Sequence, residues 1–207
     1  MFTHYLVIVM IMGVNFTFNN FSVVVPIYNE EEILIDSCNK IFDICKKTQL
    51  DFEIIFSENG STDNTLKLIN QFVSEKPECK VISNNIANYG MALKSGFEIA
   101  VNELIVSFDI DYFSEEFLIR SLTMNKKYSA ITASKRLKDS KDSRKLIRRT
   151  ATNFFVFMLK ILFRTTMSDT HGMKGIRRSS LEKQIKNVVS TQDLFDTELL
   201  LRNERSG

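Results

Sequence analysis

From Phe21 onward, short apolar runs alternate with stripes of apolar residues at helical spacing. "FSVVVPIYNE" reads as a Val-rich strand that Pro26 stops. A helix should follow, with Asn29 as its cap, Glu30, Glu31 and Glu32 at its positive end, and Ile33, Leu34, Cys38, Ile41 and Cys45 on its inner face. "DFEIIFSENG" predicts a second strand, and Ser61 or Asp63 is placed to cap the helix "NTLKLINQFVSE". "KVISN" predicts a short strand leading to the loop and helix of "NYGMALKSGFEIAV". A strand "LIVSFDID", a helix near 114–122 and a strand "SAITAS" complete the regular part. This alternation predicts an α/β domain with a mainly parallel sheet and helices on both faces. In such sheets ligands bind beyond the carboxyl ends of the strands. "PIYNE", "SENGSTD", "NYG" and "DID" all fall at those ends, so the polar residues should converge on one edge.

Within that set, Asp109 and Asp111 are the candidates for metal chemistry. Side chains two apart on a strand point the same way. Two carboxylates so placed repel unless a cation sits between them, and a divalent ion is the usual solution. The competing reading is that the strand has ended and both are solvated turn residues.

Composition is that of an ordinary globular chain long enough for one substantial core, with seventeen Phe and no Trp. The net charge of +2 predicts no polyanionic partner by itself, but the distribution of charge suggests an anionic partner at one basic block. Residues 135–164 hold ten Lys or Arg against Asp139 and Asp142, leaving the rest of the chain acidic. Within "DSRKLIRRTATNFFVFMLKILFR" the cations flank a Phe-rich run, the pattern of a basic amphipathic helix lying in a membrane surface; a core helix with a solvated end is the alternative. No stacking platform or recognition motif for nucleic acid stands out. Cys38, Cys45 and Cys79 lack metal-site spacing and read as reduced thiols. Residues 1–20 form an apolar extension ahead of a catalytic domain at 21–207; its run Tyr5–Val14 is too short to span a bilayer, and reads equally as an extra strand, a membrane-associating segment or upstream sequence.

The stretches "SVVVPIYNEEEIL", "SENGSTDNT", "NYGMALKSGFEIA", "FDID", "SKR…DSRKLIRR", "SDTHGMKGIRR" and "FDTELLLRNERSG" occur in one order across residues 22–207. In that order the chain resembles the inverting family 2 glycosyltransferases of GT-A fold. Within them it looks most like the dolichyl- and polyprenyl-phosphate mannose and glucose synthases. The resemblance implies that Pro26, Tyr28 and Glu30 hold the base and ribose of a nucleotide sugar, with Glu58 in the place of the aspartate that reads the base. Asp63 matches the acid closing that loop, and Asn88 and Gly90 the loop where the backbone approaches the nucleotide. Asp109 and Asp111 match the D-x-D that holds Mg²⁺ or Mn²⁺ on the diphosphate. Arg136, Arg148 and Arg149 match cations that bind the acceptor phosphate, and Asp169 an active-site aspartate often treated as the base. Asp196 and Glu198 match acids bordering the site.

Three departures stand out: Glu58-Asn59 replaces a pair of aspartates, Phe113 stands where a Gln often assists the metal, and the "SDTHGMK" loop is one residue shorter. The family usually continues beyond "ERSG" with a strand, a basic segment and often transmembrane helices, so the expectation is either a truncated core or a short native protein.

The implied reaction is metal-dependent, inverting transfer of a hexose from a GDP- or UDP-sugar to a polyprenyl phosphate at the cytoplasmic face of a membrane. A hydroxyl acceptor needs a general base. A lipid phosphate with a second pKa of about 6 arrives largely ionised and needs cations more. Asp169 is therefore weighed as an organiser nearly as highly as a base. Transfer to a hydroxyl of a glycan or lipid, and a non-catalytic nucleotide-sugar-binding or scaffold role, remain open; oligomeric state is not readable.

Overall fold

Val23, Val24 and Val25 are buried on both faces of the sheet, which is what a continuous apolar run in a central parallel strand requires. The computed structural model describes residues 15–133, 157–165, 172–192 and 194–206. That central strand is β1 (Asn20–Ile27), followed by α1 (Leu34–Lys47), β2 (Asp51–Glu58), α2 (Thr65–Ser74), β3 (Cys79–Ser83), α3 (Tyr89–Ile99) and β4 (Leu104–Ser107). Then come α4 (Glu115–Leu122), β5 (Ala130–Thr132), β6 (Lys174–Arg177), α5 (Arg178–Ile185) and α6 (Phe195–Ser206). The sheet order is β3-β2-β1-β4-β6-β5. The first four strands are parallel; β6 runs antiparallel between β4 and β5.

Alternation along β1 sends Phe21, Val23 and Val25 into one core with residues of α1, α2 and α4. Val24 points to the other, with Leu93, Phe97, Leu181, Ile185, Phe195 and Leu199 from α3, α5 and α6. A β-carbon on Gly96 would lie 2.4 Å from Val24 Cγ1, so only glycine lets α3 sit this close to the sheet. All three cysteines are free and buried, as expected of reduced thiols. Burial of the Cys38 and Cys79 thiols pushes each up to about 12, which leaves them inert. Phe18, ahead of the boundary expected at residue 21, is buried in the first core, and Thr17 N–H donates to the Leu122 carbonyl at 2.8 Å.

Three local expectations are corrected. Asn29 does not cap α1, which starts at Leu34; Asn29 is at φ 53° and its side chain accepts from Thr62 N–H at 2.8 Å. The strand of "LIVSFDID" stops at Ser107. Asp109 and Tyr112 exchange backbone hydrogen bonds of 3.2 and 3.0 Å, so Asp109 and Asp111 lie in a closed turn instead of along one strand face. The antiparallel β6 was not anticipated, because Lys174–Arg177 is short and carries two cations.

Residues 157–163 are helical. Leu159 is buried, while Phe157, Met158, Ile161 and Leu162 are exposed. The basic stretch before them lies outside the described residues. Among the described residues no helix is long and apolar enough to cross a membrane.

Candidate active site

At the carboxyl ends of β1 and β2 the two following loops are laced together. Asn29 N–H donates to Ser61 Oγ (3.0 Å), Glu30 N–H to Thr65 Oγ1 (2.8 Å) and Glu31 N–H to Asp63 Oδ2 (3.2 Å). Asp63 Oδ1 also accepts from Thr65 N–H at 2.9 Å, but the N-cap position of α2 is Asn64, not Ser61 or Asp63 as expected. Pro26 is buried and Tyr28 is exposed over this edge.

Glu58 is buried at the end of β2. Its carboxylate accepts from Ser61 N–H and from Ser83 Oγ, both at 2.5 Å. Burial alone would raise its carboxyl, but the bonds from Ser83, Ser61 and the Gly60 N–H hold it below its ordinary value. Asn59, the departure beside it, is a stitch: its Oδ1 accepts from Asn88 N–H at 2.6 Å. Asn88 in turn caps α3 by accepting from Met91 N–H at 3.1 Å. Gly90 follows, where a β-carbon would lie 2.5 Å from the Thr191 carbonyl oxygen and 2.7 Å from that of Gln192. The close approach at Gly90 is thus made by the segment leading into α6.

That packing brings α3, β4, β6 and α6 to one point. Tyr89 Oη donates to Asp109 Oδ1 at 3.2 Å. Lys174, paired in register with Ser107, is 1% exposed; its ammonium donates to the Gly172 carbonyl at 2.7 Å and stands 2.8 Å from Asp196 Oδ2. Asp196 is also 1% exposed. Asp109 is held above its ordinary value by burial; Lys174 and the Tyr89 hydroxyl pull it back, while Asp196 and Asp111 push it up. Burial, then Asp196, Asp109 and Asp111, raise the Tyr89 hydroxyl. Glu30 is raised by burial first, then by Asp111 and Asp63. The edge is therefore crowded with carboxylates, with Lys174 the cation buried among them.

Such a donor set fits a hard divalent ion. Asp109 and the exposed Asp111 offer oxygen ligands, and their mutual repulsion is what a cation would relieve. Among the described residues no group of three or more His, Cys, Asp or Glu could hold a metal alone. Two carboxylates completed by substrate phosphates and water is the usual arrangement for Mg²⁺. Phe113 adds no ligand: it is half-buried, its ring 6.4 Å from that of Phe108.

The two acids of α6 part company. Asp196 faces Lys174, whereas Glu198 accepts from Ser190 N–H and Arg202 Nε, both at 2.8 Å. Glu198 lines a cleft of about 610 Å³ between α6 and residues 159–163, with Leu159, Phe163, Leu194, Leu201 and Arg205. Arg136, Arg148, Arg149 and Asp169 lie outside the described residues. Sequence reasoning missed Tyr89 and Lys174 as site residues. "NYG" carried the only signal for Tyr89; the lone cation in "GMKGI" was a weak one for Lys174.

A mainly parallel sheet that gathers carboxylates and amides at one edge is the architecture of a nucleotide-handling domain. The chain belongs to glycosyl transferase family 2, whose family model matches residues 22–185. It is 29% identical over 169 residues to the undecaprenyl-phosphate 4-deoxy-4-formamido-L-arabinose transferase of Photorhabdus laumondii, a match covering 80% of this chain and 51% of that protein. It is 25% identical over 193 residues to glycosyltransferase AglD of Haloferax volcanii, covering 90% and 31%. The chain thus spans about half or less of the length of these relatives. Among solved structures it resembles a Pyrobaculum calidifontis mannosyltransferase in complex with GDP-Man and Mn²⁺ (17% identity, 88% and 53% coverage, TM-score 0.55). It also resembles S. aureus TarS 1–349 in complex with UDP-GlcNAc (18%, 88% and 54%, 0.59). At these identities the likeness shows the fold, a GT-A-like mainly parallel sheet.

Proposed function

We propose that this domain transfers a hexose from a nucleotide sugar, of GDP-mannose or UDP-glucose type, to a polyprenyl phosphate at the cytoplasmic face of a membrane. The observation that carries this reading is the Asp109–Asp111 turn, bonded to Tyr89 at the strand-end edge of a family 2 domain. A Mg²⁺ or Mn²⁺ ion held by Asp109 and Asp111 would neutralise the diphosphate leaving group. The end of β1 with Pro26 and the laced loops carrying Tyr28, Glu30 and Asp63 orient base and ribose, with Glu58 and Asn59 fixing Ser61 and the Asn88–Gly90 turn around them.

A lipid acceptor is supported by the exposed Phe157, Met158, Ile161 and Leu162, which give the domain an apolar face. The adjoining cleft of about 610 Å³ along α6, lined in part by Leu159, Phe163, Leu194 and Leu201, offers apolar surface next to that face. The names of the undecaprenyl-phosphate relatives point the same way. Arg136, Arg148 and Arg149 then hold the lipid phosphate in line behind the anomeric carbon, Arg being suited to bidentate phosphate contact. Asp169 serves as base or, with an acceptor already ionised, as organiser of the donor sugar.

The test is transfer from radiolabelled GDP-mannose and UDP-glucose, in parallel, to a short-chain polyprenyl phosphate in detergent with Mg²⁺ or Mn²⁺. Lipid-linked product that disappears with EDTA and falls at least about a hundredfold in Asp111→Ala is expected. Product formed on the polyprenol hydroxyl but not on its phosphate would refute the acceptor assignment. Donor bound without any turnover would refute the enzyme reading for this chain.

A further inference from the structure

Lys174 has no role in the transfer chemistry set out above, yet among the described residues it is the most completely buried cation. Burying an ammonium and a carboxylate together costs free energy that their attraction repays only partly, so such a pair is weak evidence for stability by itself. Its location is specific. The β4–β6 register sets Lys174 opposite Ser107, two residues before Asp109. Asp196 reaches it from the first turn of α6, Oδ2 lying 2.8 Å from the ammonium, and Asp196 Oδ1 has no hydrogen-bond partner among the described residues. The pair is therefore held by charge and enclosure, directly behind the turn that carries Asp109 and Asp111.

We infer that Lys174 is a positioning residue that sets how tightly the Asp109–Asp111 turn takes a divalent cation, with Asp196 as the counter-charge that limits its effect. The inference rests on the metal reading above. A fixed positive charge behind two carboxylates repels a divalent ion that arrives and so weakens their hold on it. A cation then binds well only with the donor diphosphate and leaves with the product. Asp196 offsets most of the Lys174 charge; without that offset the site would repel the ion.

The two members of the pair must therefore act with opposite sign, which a mere staple between β6 and α6 cannot do. The experiment is Mn²⁺ titration of the full chain by electron paramagnetic resonance, with Mn²⁺ alone and with Mn²⁺ plus UDP, alongside thermal melts. Lys174→Met should tighten Mn²⁺ binding and Asp196→Asn should weaken it, each by roughly tenfold or more. Shifts in the same direction, or none in folded variants, would overturn the inference. If Lys174→Met does not fold, Asp196→Asn decides alone, since its amide keeps the shape and an acceptor for Lys174; unchanged or tighter binding then overturns it. Asp111→Ala is the control. A wild type whose Mn²⁺ binding is absent or survives that change removes the metal reading itself, and this inference with it; binding lost in Asp111→Ala but untouched in the pair removes only the inference.

Discussion

Replacing Glu198 with glutamine should destabilise the domain at neutral pH and leave it nearly untouched in strong acid. The carboxylate holds the loop before α6 through Val189 N–H (3.1 and 3.2 Å) and Ser190 N–H (2.8 Å), and accepts from Arg202 Nε (2.8 Å). Burial pushes its carboxyl up, but the Ser190 N–H, Arg202 and the Val189 N–H outweigh that and hold it at about 2 against an ordinary 4.5. At 1.36 kcal/mol per pH unit the ceiling is about 3 kcal/mol. The side chain is 21% exposed, and solvent trims the figure to roughly 1–2 kcal/mol. Because the folded-state value is depressed, this stability is fully present above about pH 4.5 and is lost as pH falls towards 2. Glutamine keeps an acceptor for the loop N–H groups, so the change removes mainly charge. Urea unfolding followed by circular dichroism at pH 7, 5, 4 and 3 should show the wild type ahead by the full amount at pH 7 and the two curves converging below pH 4.5. A gap that stays constant across this range would show that packing, not charge, anchors the loop.

Gly90→Ala should lower stability by about 1–3 kcal/mol, since its β-carbon meets two backbone carbonyls and Phe195 Cβ at 2.5–2.7 Å; a melting temperature within a degree of wild type would contradict this. Glu53→Gln should cost about 2 kcal/mol, because the buried carboxylate accepts from Ser22 Oγ, Val101 N–H and Lys80 Nζ at 2.6–2.8 Å. Nucleotide binding by that variant, measured calorimetrically, should match wild type, as the network lies at the opposite end of β2 from Glu58. Paired Ile161→Asp and Leu162→Asp changes should abolish co-sedimentation with anionic vesicles while leaving the melt unchanged, both side chains being exposed.

The parallel half of the sheet was legible because its strands are runs of Val and Ile that end in polar loops, a pattern written within each segment. The end of β4 was not: "FDID" alternates like a strand, and only the mutual bonds of Asp109 and Tyr112 turn it back. Asn29 has the chemistry of a cap, but Ser61 and Thr62 compete for it from a loop far along the chain. Lys174 was the least legible. A lysine between Met173 and Gly175 reads as solvated, and its burial follows from two distant partners, Ser107 in register and Asp196 by charge. Matched motifs pointed to the carboxylates of the strand-end edge; the side chains packed around them became visible only in three dimensions.

The place of β6 in the sheet also bears on how the chain is made. Strands β1 to β4 are complete once residue 107 has been synthesised, yet the far side of β4 stays unpaired until Lys174–Arg177 emerges. During that interval Leu104, Ile105 and Val106, all fully buried in the finished domain, border an open strand edge. Such edges template pairing with other chains. A ribosome-bound or truncated chain ending between residues 111 and 174 is thus expected to be the aggregation-prone form of this protein, and a chaperone that delays collapse would act on that window of synthesis.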